Sequence, residues 1–219
     1  MVRVTAIISA YFAEQYIERR LDNLQGQECR ILAIAQKEHA EARVLQDRGI
    51  DTILTDGVPT IYAAWNRLIE KADTPYITNA NSDDLVYEGA YKKLADVLDR
   101  RKDYAVVNSN IDMEKDGVVS TIETKGGDLS LLVTNCFVGP MPMWRRSLHD
   151  KYGLFDESLQ VAGDYEFWLR IAAQGEKFYH VQGRPLGRYL YREDSAEHRQ
   201  PTRTIWESAR ARKPYIRRL

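Results

Sequence analysis

The chain has 219 residues, of which 44% are hydrophobic and 29% charged, and its formal net charge is −1. This composition is that of an ordinary globular protein, and the near-neutral charge argues against nucleic acid as the main partner. No apolar run approaches the roughly 18 residues that a membrane-spanning helix needs. The first residues predict a strand rather than a signal peptide. Cys29 and Cys136 show no metal-binding or paired spacing, so we expect two buried, reduced thiols in a cytoplasmic protein.

The first half of the chain alternates short apolar segments with amphipathic ones. The apolar segments predict strands at 4–9, 30–35, 50–55 and 75–79. Apolar side chains at helical spacing predict helices at 14–24, 38–48 and 61–72. Strands that alternate with helices at such short intervals indicate an α/β fold with a doubly wound, mostly parallel sheet flanked by helices.

The second half is less regular. We predict strands at 104–108, 177–181 and 186–191, with a hairpin formed by 111–113 and 118–122. Helices are predicted at 85–101, 128–133, 145–152 and 164–174. The segment 136–143 contains two prolines and is not expected to be an ordinary central strand. Because no repeat or linker interrupts the chain, we predict one domain over 1–198 and a tail over 199–219.

This tail is strongly basic. Its one acid, Glu207, stands against seven basic residues: Arg199, Arg203, Arg210, Arg212, Lys213, Arg217 and Arg218. Such a segment is commonly a solvated helix or a frayed chain end. Alternatively, it contacts an anionic lipid headgroup or a protein partner, since each basic residue near an acidic membrane contributes about 1 kcal/mol.

Two neighbouring carboxylates follow the strand predicted at 75–79. They belong to the segment 81–84, which reads Asn-Ser-Asp-Asp. Ligands of open α/β sheets bind beyond the carboxyl ends of the strands, and acids there can hold a divalent cation that also contacts phosphate oxygens. Asp83 and Asp84 alternatively cap the helix predicted to start at Leu85.

A second acidic cluster, at 163–168, opens the helix predicted at 164–174. Asp164 in its first turn either takes part in chemistry or only complements the helix dipole. Together, the two clusters indicate a metal-dependent enzyme that acts on a phosphate-bearing substrate.

Several segments, in order along residues 2–195, resemble the motifs of family 2 glycosyltransferases, which have the GT-A fold, a Rossmann-like nucleotide-binding fold. The segment 7–12 (IISAYF) resembles the family's opening strand and loop, and 64–66 (AWN) resembles its "ARN" segment. Residues 81–84 (NSDD) resemble the DxD motif. Residues 163–170 (GDYEFWLR) resemble the family's "EDyelwlR" segment, and residues 191–192 resemble the tyrosine–arginine pair that follows it.

The resemblance implies an inverting transfer of a sugar from a nucleoside diphosphate donor to an acceptor hydroxyl. It makes Asp83 a ligand of Mg²⁺ or Mn²⁺, which neutralises the leaving diphosphate. Asp84 then supports the turn or contacts the sugar. Asp164 becomes the general base that removes the acceptor proton.

The resemblance also predicts the residues around the two substrates. The donor, with UDP favoured, is expected to contact Ala10, Tyr11, Gln36, Asn66, Asn81 and Asp84, with Tyr11 against the nucleobase. The acceptor is expected to be a saccharide or a lipid-linked molecule in polysaccharide or glycoconjugate synthesis. Its side of the site is predicted at Trp144, Glu166 and Arg192, and the basic tail suits work at the inner face of a membrane.

The chain departs from the family pattern in three places. Asn81 replaces the first DxD acid, and Gly163 replaces the first acid of the "ED" pair. The "DDGS" segment after the second strand is Ala-Gln-Lys-Glu at 35–38, so the carboxylate that often contacts the base is missing and uridine is less clearly specified.

Two other functions are compatible with this fold. A sugar-phosphate nucleotidyltransferase would carry a glycine-rich, basic loop after the first strand, whereas residues 10–14 contain neither glycine nor lysine. A non-catalytic protein that binds sugars or nucleotide sugars would tolerate the loss of Asp at position 81 and of the "DDGS" acids. Donor binding without turnover would distinguish it from an enzyme.

Overall fold

The computed structural model describes residues 1–193 and 195–216, apart from the side chains of residues 196 and 197. Within these residues the strands are β1 Val4–Ser9, β2 Cys29–Gln36, β3 Asp51–Thr55, β4 Tyr76–Asn79, β5 Leu85–Val86, β6 Val106–Ser109, β7 Ile111–Lys115, β8 Val118–Ile122, β9 Met143–Arg145, β10 Phe178–Val181 and β11 Gly187–Leu190. The helices are α1 Ile17–Gln25, α2 Ala40–Asp47, α3 Ile61–Lys71, α4 Ala90–Arg100, α5 Leu129–Thr134, α6 Ser147–Tyr152, α7 Gly163–Ala172, α8 Ala196–Arg199 and α9 Pro201–Ile216.

A seven-stranded sheet in the order β10-β6-β9-β4-β1-β2-β3 forms the centre of the molecule. Strands β3, β2, β1 and β4 are parallel, and β9 runs antiparallel to both β4 and β6. Neighbouring residues of β1 point to opposite faces: Ile7 packs in one apolar cluster with α3 and α7, and Ile8 in a second with α1, α2 and α4. The predicted doubly wound, mostly parallel sheet with helices on both faces is confirmed.

A smaller sheet in the order β5-β11-β7-β8 lies beside the first. The predicted hairpin is present, and its turn places Asp116 and Gly117 at φ 52° and 77°. Both values suit the two-residue turn that matches strand twist. Among the helices in the described part of the chain, none is long and apolar enough to cross a membrane.

The helix predicted to start at Leu85 begins later. Leu85 and Val86 form β5, and α4 starts at Ala90 after Gly89, whose φ is 71°. The side-chain amide of Asn23 in α1 bonds both the N–H and the carbonyl oxygen of Val86, at 2.9 and 2.8 Å, as a neighbouring strand would. The prediction that this helix starts at Leu85 was therefore wrong, and the carboxylates of 83 and 84 cap no helix.

The segment after the two prolines also differs from expectation. Pro140 and Pro142 lie outside β9, which is a central strand between β4 and β6. Trp144 in this strand is fully buried, and its indole N–H donates to Nε2 of His149 at 2.9 Å. Trp144 is thus a core residue and not the acceptor-side wall that we predicted, because a central strand turns its side chains into the flanking layers.

The segment predicted as a basic tail forms α9 over most of its length. This helix packs against α7 and α5, with Glu207 and Ala211 buried. Arg217 and Arg218 of the predicted tail lie outside the described residues, as does Asp194. The chain beyond residue 198 is consequently integrated with the sheet domain at least as far as Ile216.

The core imidazole of His149 makes stability depend on pH. Burial lowers its pKa from 6.5 to about 4, and this effect outweighs the hydrogen bond to the carbonyl oxygen of Gly153, which raises the pKa. The neutral form stabilises the fold above the unfolded pKa, and this contribution, up to about 3 kcal/mol, is lost as pH falls through the folded pKa. We predict that His149→Gln, which keeps an acceptor but does not titrate, loses less unfolding free energy on acidification.

The measurement is urea unfolding of both proteins from about pH 7 down to pH 4, the window set by the two pKa values. A wild-type curve parallel to that of the variant across this window would contradict the assignment.

Candidate active site

The carboxyl ends of β1, β2 and β4 lie together at one edge of the large sheet. The backbone N–H of Ala10 donates to the carbonyl oxygen of Ile34 at 2.8 Å, and the N–H of Ala80 donates to that of Ile7 at 2.9 Å. These bonds continue the parallel ladders beyond the strands. The edge is the place where open α/β sheets bind ligands, and it brings Ala10 close to the turn that starts at Asn81.

Tyr11 reaches across this edge from the end of β1 toward β3. Its hydroxyl lies 2.9 Å from Oγ1 of Thr55, and its half-buried ring packs on the apolar cluster around α3. Burial raises the pKa of Tyr11, so the phenol stays neutral. Gln36 at the end of β2 lies beside it in the sheet, with its amide 3.5 Å from the carbonyl oxygen of Asp56. Tyr11 and Gln36 therefore lie next to each other at the carboxyl edge of the sheet, and their predicted contacts with the donor stay a prediction.

An aromatic side chain that the motifs did not single out lies at the same edge. Phe12 has φ 57° and is 79% exposed. With His39 and Glu41 it lines a pocket of about 470 Å³ between the loops after β1 and β2. The buried carboxylate of Glu41 accepts the N–H of Ala13 at 2.7 Å and fixes the first loop. No pattern in the sequence signals this exposure.

The acidic turn holds an ion pair that the sequence did not predict. Nε of Arg192 lies 2.8 Å from Oδ2 of Asp83, and both side chains are largely buried. The Arg192 guanidinium also lies 5.0 Å from the ring centroid of Tyr16, while Arg19 donates to the backbone carbonyl of Asp83 at 2.9 Å. Arg192, predicted on the acceptor side, thus lies beside the predicted metal ligand.

His198 holds the chain on the far side of this pair. Its ring packs on that of Tyr191 at 4.2 Å between centroids, and its Nδ1 lies 2.7 Å from the carbonyl oxygen of Arg192. The segment that carries Arg192 is therefore fixed by neighbours on the chain as well as by Asp83.

Asp84 is buried beneath the turn. Its two carboxylate oxygens accept the N–H of Leu190 in β11 at 3.1 Å and the side-chain amide of Asn81 at 3.0 Å. Burial, followed by the charge of Asp83, raises the pKa of Asp84 to about 7. Of the two roles predicted for Asp84, the structure supports that of holding the turn, since the buried carboxylate presents no face to a sugar.

The donors at the turn suit a cation that the substrate completes. Within residues 1–193 and 195–216, no group of three or more His, Cys, Asp or Glu is arranged to hold a metal. Asp83 has a carboxylate that pairs with Arg192 through Oδ2, and the amide oxygen of Asn81 accepts from the side chain of Asn79 at 3.3 Å, whereas Asp84 is buried. Mg²⁺ is commonly held by one or two carboxylates together with substrate phosphates. These residues therefore fit a metal that arrives with a diphosphate.

Asp164 lies in the first turn of α7 and contacts Tyr62 of α3. Its Oδ1 accepts the hydroxyl of Tyr62 at 3.0 Å and the backbone N–H of Tyr165 at 2.8 Å. Burial and the charge of Asp164 raise the pKa of Tyr62 well above its ordinary value. Tyr62 therefore remains a donor and orients the carboxylate.

The ring of Tyr62 also explains the glycine at position 163. A Cβ on Gly163 would lie 2.6 Å from Cδ2 of Tyr62, far inside van der Waals contact. An acid at this position, which the family pattern would have, cannot be accommodated beside this ring. The departure at Gly163 is thus coupled to the tyrosine that positions Asp164.

Two other predicted site residues have structural roles. Asn66 is 2% exposed, and its amide bonds the backbone of Phe155 through both its nitrogen and its oxygen, at 2.9 and 3.0 Å. It holds the loop before α7 and offers no polar group to a donor. Glu166 forms a bidentate pair with Arg170, which also donates to backbone carbonyls next to α6. Glu166 therefore ties α7 to α6 instead of facing an acceptor.

The chain matches the model of glycosyl transferase family 2 over residues 5–153. The chain belongs to this family. The family 2 match includes the acidic turn but ends before Asp164, Arg192 and α9, so the roles of these residues rest on geometry. Among curated proteins, the sequence comparison found no relative.

Solved structures show the same fold over nearly the whole chain. S. aureus TarS 1-349 in complex with UDP-GlcNAc has a TM-score of 0.74 at 16% identity, covering 89% of this chain and 60% of that one. The mannosyltransferase PcManGT from Pyrobaculum calidifontis, in complex with GDP-Man and Mn²⁺, also has a TM-score of 0.74 at 16% identity. The match covers 98% of this chain and 64% of the PcManGT chain. This family 2 chain therefore spans less than two thirds of the length of either structure.

The packing of Tyr62 on Gly163 generates a prediction. Gly163→Ala should destabilise the protein by about 1–3 kcal/mol, the usual cost of overpacking. In a Tyr62→Ala background the same substitution should cost clearly less, because the opposing ring is gone. Urea unfolding of the four proteins gives the coupling energy. Equal costs in the two backgrounds would show that the ring does not exclude a side chain at position 163.

Proposed function

We propose that this protein is an inverting glycosyltransferase that moves a sugar from a nucleoside diphosphate donor to an acceptor hydroxyl. The observation that carries the proposal is the pair of positioned carboxylates in a family 2 chain. Asp83 lies at the carboxyl edge of the parallel strands, and Asp164 is oriented by Tyr62 at the start of α7. The similar folds of proteins solved with UDP-GlcNAc and with GDP-Man support a nucleotide-sugar donor.

In this proposal Asp164 is the general base. Its carboxylate accepts the proton of the acceptor hydroxyl while the hydroxyl oxygen attacks the anomeric carbon. The bond from that carbon to the diphosphate breaks, and the nucleoside diphosphate leaves with the electron pair. The bonds that Oδ1 receives from Tyr62 and from the N–H of Tyr165 hold the carboxylate in one orientation, which a positioned base requires.

Asp83 would hold Mg²⁺ or Mn²⁺ together with the donor diphosphate. When bound, the ion supplies Lewis-acid neutralisation of the leaving group. Arg192 adds a guanidinium at the same turn, and planar guanidinium groups suit phosphate oxygens. We therefore assign Arg192 to the donor diphosphate, with Asp83 as its partner in the protein without substrate.

Tyr11 and Gln36 remain the residues assigned to the base, and the loss of the "DDGS" acids leaves a UDP-sugar and a GDP-sugar both to be tried. The acceptor in this proposal is a saccharide or a lipid-linked molecule used in polysaccharide or glycoconjugate synthesis.

The test is release of nucleoside diphosphate from a panel of nucleotide sugars, with candidate acceptors and with Mn²⁺, Mg²⁺ or a chelator. We expect metal-dependent release from one donor, and loss of that release in Asp83→Ala. Asp164→Asn should keep donor binding and lose about 10²- to 10⁴-fold in turnover, the usual contribution of a general base. Asp103→Asn, which removes an exposed carboxylate after α4, is the matched control.

Equal turnover in wild type and Asp164→Asn would refute the role of Asp164. Donor binding without release for any metal or acceptor would favour the non-catalytic binding protein. Absence of binding to every donor would contradict the proposal as a whole.

We further propose that the outer face of α9 contacts an anionic membrane surface from the cytoplasmic side. Ile205 and Trp206 are 72% and 59% exposed, and Arg210 and Lys213 lie on the same outer face. Exposed aromatic and aliphatic side chains next to basic ones are the features of interfacial helices. This face would place the site next to a lipid-linked acceptor.

Cosedimentation with vesicles tests this contact. Binding to vesicles that contain phosphatidylglycerol is expected, and Trp206→Ala with Ile205→Ser should weaken it severalfold. Point variants are preferable to removal of residues 199–219, because deletion would also remove the buried Glu207. No binding of the wild-type protein to anionic vesicles would contradict the contact.

A further inference from the structure

A second pocket, of about 290 Å³, opens beside Asp164. Its walls come from three parts of the chain: the end of α5 with Asn135 and Cys136, the start of α7 with Asp164 and Tyr165, and one face of α9. The α9 residues are Thr204, Ser208 and Arg212, spaced four apart so that they share a face of the helix. The proposed base and the C-terminal helix therefore border the same space.

Arg212 is a cationic side chain of this pocket, and it has no counter-ion among the residues that the structure describes. Within residues 1–193 and 195–216, Arg212 forms no ion pair or side-chain hydrogen bond, although its side chain is half-buried. Many other arginines of the chain have carboxylate partners, among them Arg170 and Arg188. A partly buried guanidinium that lines a pocket without a carboxylate partner suits an anionic ligand, because phosphate and carboxylate groups match its fork of donors.

The position of Arg212 is fixed by Glu207, one and a half turns earlier on α9. The buried carboxylate of Glu207 accepts the backbone N–H groups of Gln160, Val161 and Ala162, at 2.9–3.1 Å. These residues lead directly into α7 and Asp164. A carboxylate at a helix N-terminus is electrostatically favourable, so Glu207 locks α9 to the segment that carries the base. Arg212 is thereby held in register with Asp164.

We propose that this pocket binds the acceptor and that Arg212 recognises an anionic group on it, a phosphate or a carboxylate. The acceptor then presents its hydroxyl to Asp164 and its anion to Arg212. The reverse orientation would bring the anion against the carboxylate of Asp164 and is disfavoured by like-charge repulsion. The identity of the bound molecule as the acceptor rests on the proposed function, whereas anion binding at Arg212 does not.

Cys136 provides a readout that is independent of turnover. Contrary to the expectation of two buried thiols, Cys136 is exposed, and it lines the pocket. The half-buried Cys29 is a poor nucleophile because burial raises its pKa to about 12. An uncharged reagent such as N-ethylmaleimide should therefore label Cys136, and a ligand in the pocket should slow the labelling. Mass spectrometry assigns the label to each cysteine.

The experiment measures this labelling rate in metal-free protein without donor, with and without glycerol 3-phosphate, and with glycerol as the uncharged control. A parallel arm uses vesicles of phosphatidylglycerol, to distinguish a lipid phosphate from a soluble one. Each rate is divided by the rate of the same variant without ligand. Arg212→Gln is compared with Arg203→Gln, which removes an exposed arginine from the same helix.

We expect glycerol 3-phosphate to slow the labelling of Cys136 and glycerol not to. Arg212→Gln should bind glycerol 3-phosphate at least about tenfold more weakly than the wild type, the scale of one charge-assisted hydrogen bond. Arg203→Gln should be protected like the wild type. Protection by vesicles alone that is lost in Arg212→Gln supports the proposal and assigns the anion to a lipid headgroup.

Two results would overturn the proposal: no protection by either phosphate source, or equal protection in Arg212→Gln and wild type. Because labelling needs neither donor nor metal, either result leaves the donor-release assay unaffected. Conversely, if no nucleoside diphosphate is released from any donor, the anion site is not contradicted. Only the assignment of the bound molecule as an acceptor is then contradicted.

Discussion

Strand β1 is the element on which the rest of the structure depends. It is hydrogen-bonded in parallel to β2 on one side and to β4 on the other, and its alternate side chains are buried in both apolar clusters. A slip of one residue would exchange the two faces, so the register is strongly specified. Because this register is fixed, the ends of β1, β2 and β4 meet at one edge, and the loop with Tyr11 lies near the acidic turn.

A second constraint ties the C-terminal part of the chain to that edge. Three backbone N–H groups before α7 have Glu207 as their acceptor, and removal of this carboxylate would leave buried donors unsatisfied. Likewise, Asp84 connects the acidic turn to β11, the strand that leads to Arg192. Elements far apart in the sequence thus become parts of one site through carboxylates that are buried and do no chemistry themselves.

Local pattern was sufficient for the alternating half of the chain. The strands and helices between β1 and β4 form close to where apolar spacing placed them, because each buries a face that its own residues define. Pattern failed where a distant group decided the conformation. Leu85 and Val86 continue a helical pattern, yet they form a strand. The side-chain amide of Asn23 hydrogen-bonds the N–H and the carbonyl oxygen of Val86 there. Because of the two prolines, no central strand was predicted in segment 136–143, yet the central strand β9 starts directly after Pro142.

The candidate site shows the same division. The motifs identified Asp83 and Asp164, but the pairing of Asp83 with Arg192 joins residues 109 apart, and no spacing rule indicates it. Asn66 and Trp144 have residue types that suit a binding site, and only packing shows that both are buried. Gly163, in contrast, is a departure from the family that the sequence showed and the structure explains through Tyr62.

A crystal structure of the protein with its nucleotide-sugar donor and Mn²⁺ would show whether one sheet edge binds the diphosphate between Asp83 and Asp164. We expect the diphosphate at the turn formed by residues 81–84, with the metal on Asp83 and the Arg192 guanidinium turned from that carboxylate to a phosphate oxygen. We also expect the anomeric carbon on the side of Asp164. A nucleotide bound elsewhere, with the Asp83–Arg192 pair intact, would contradict this binding mode.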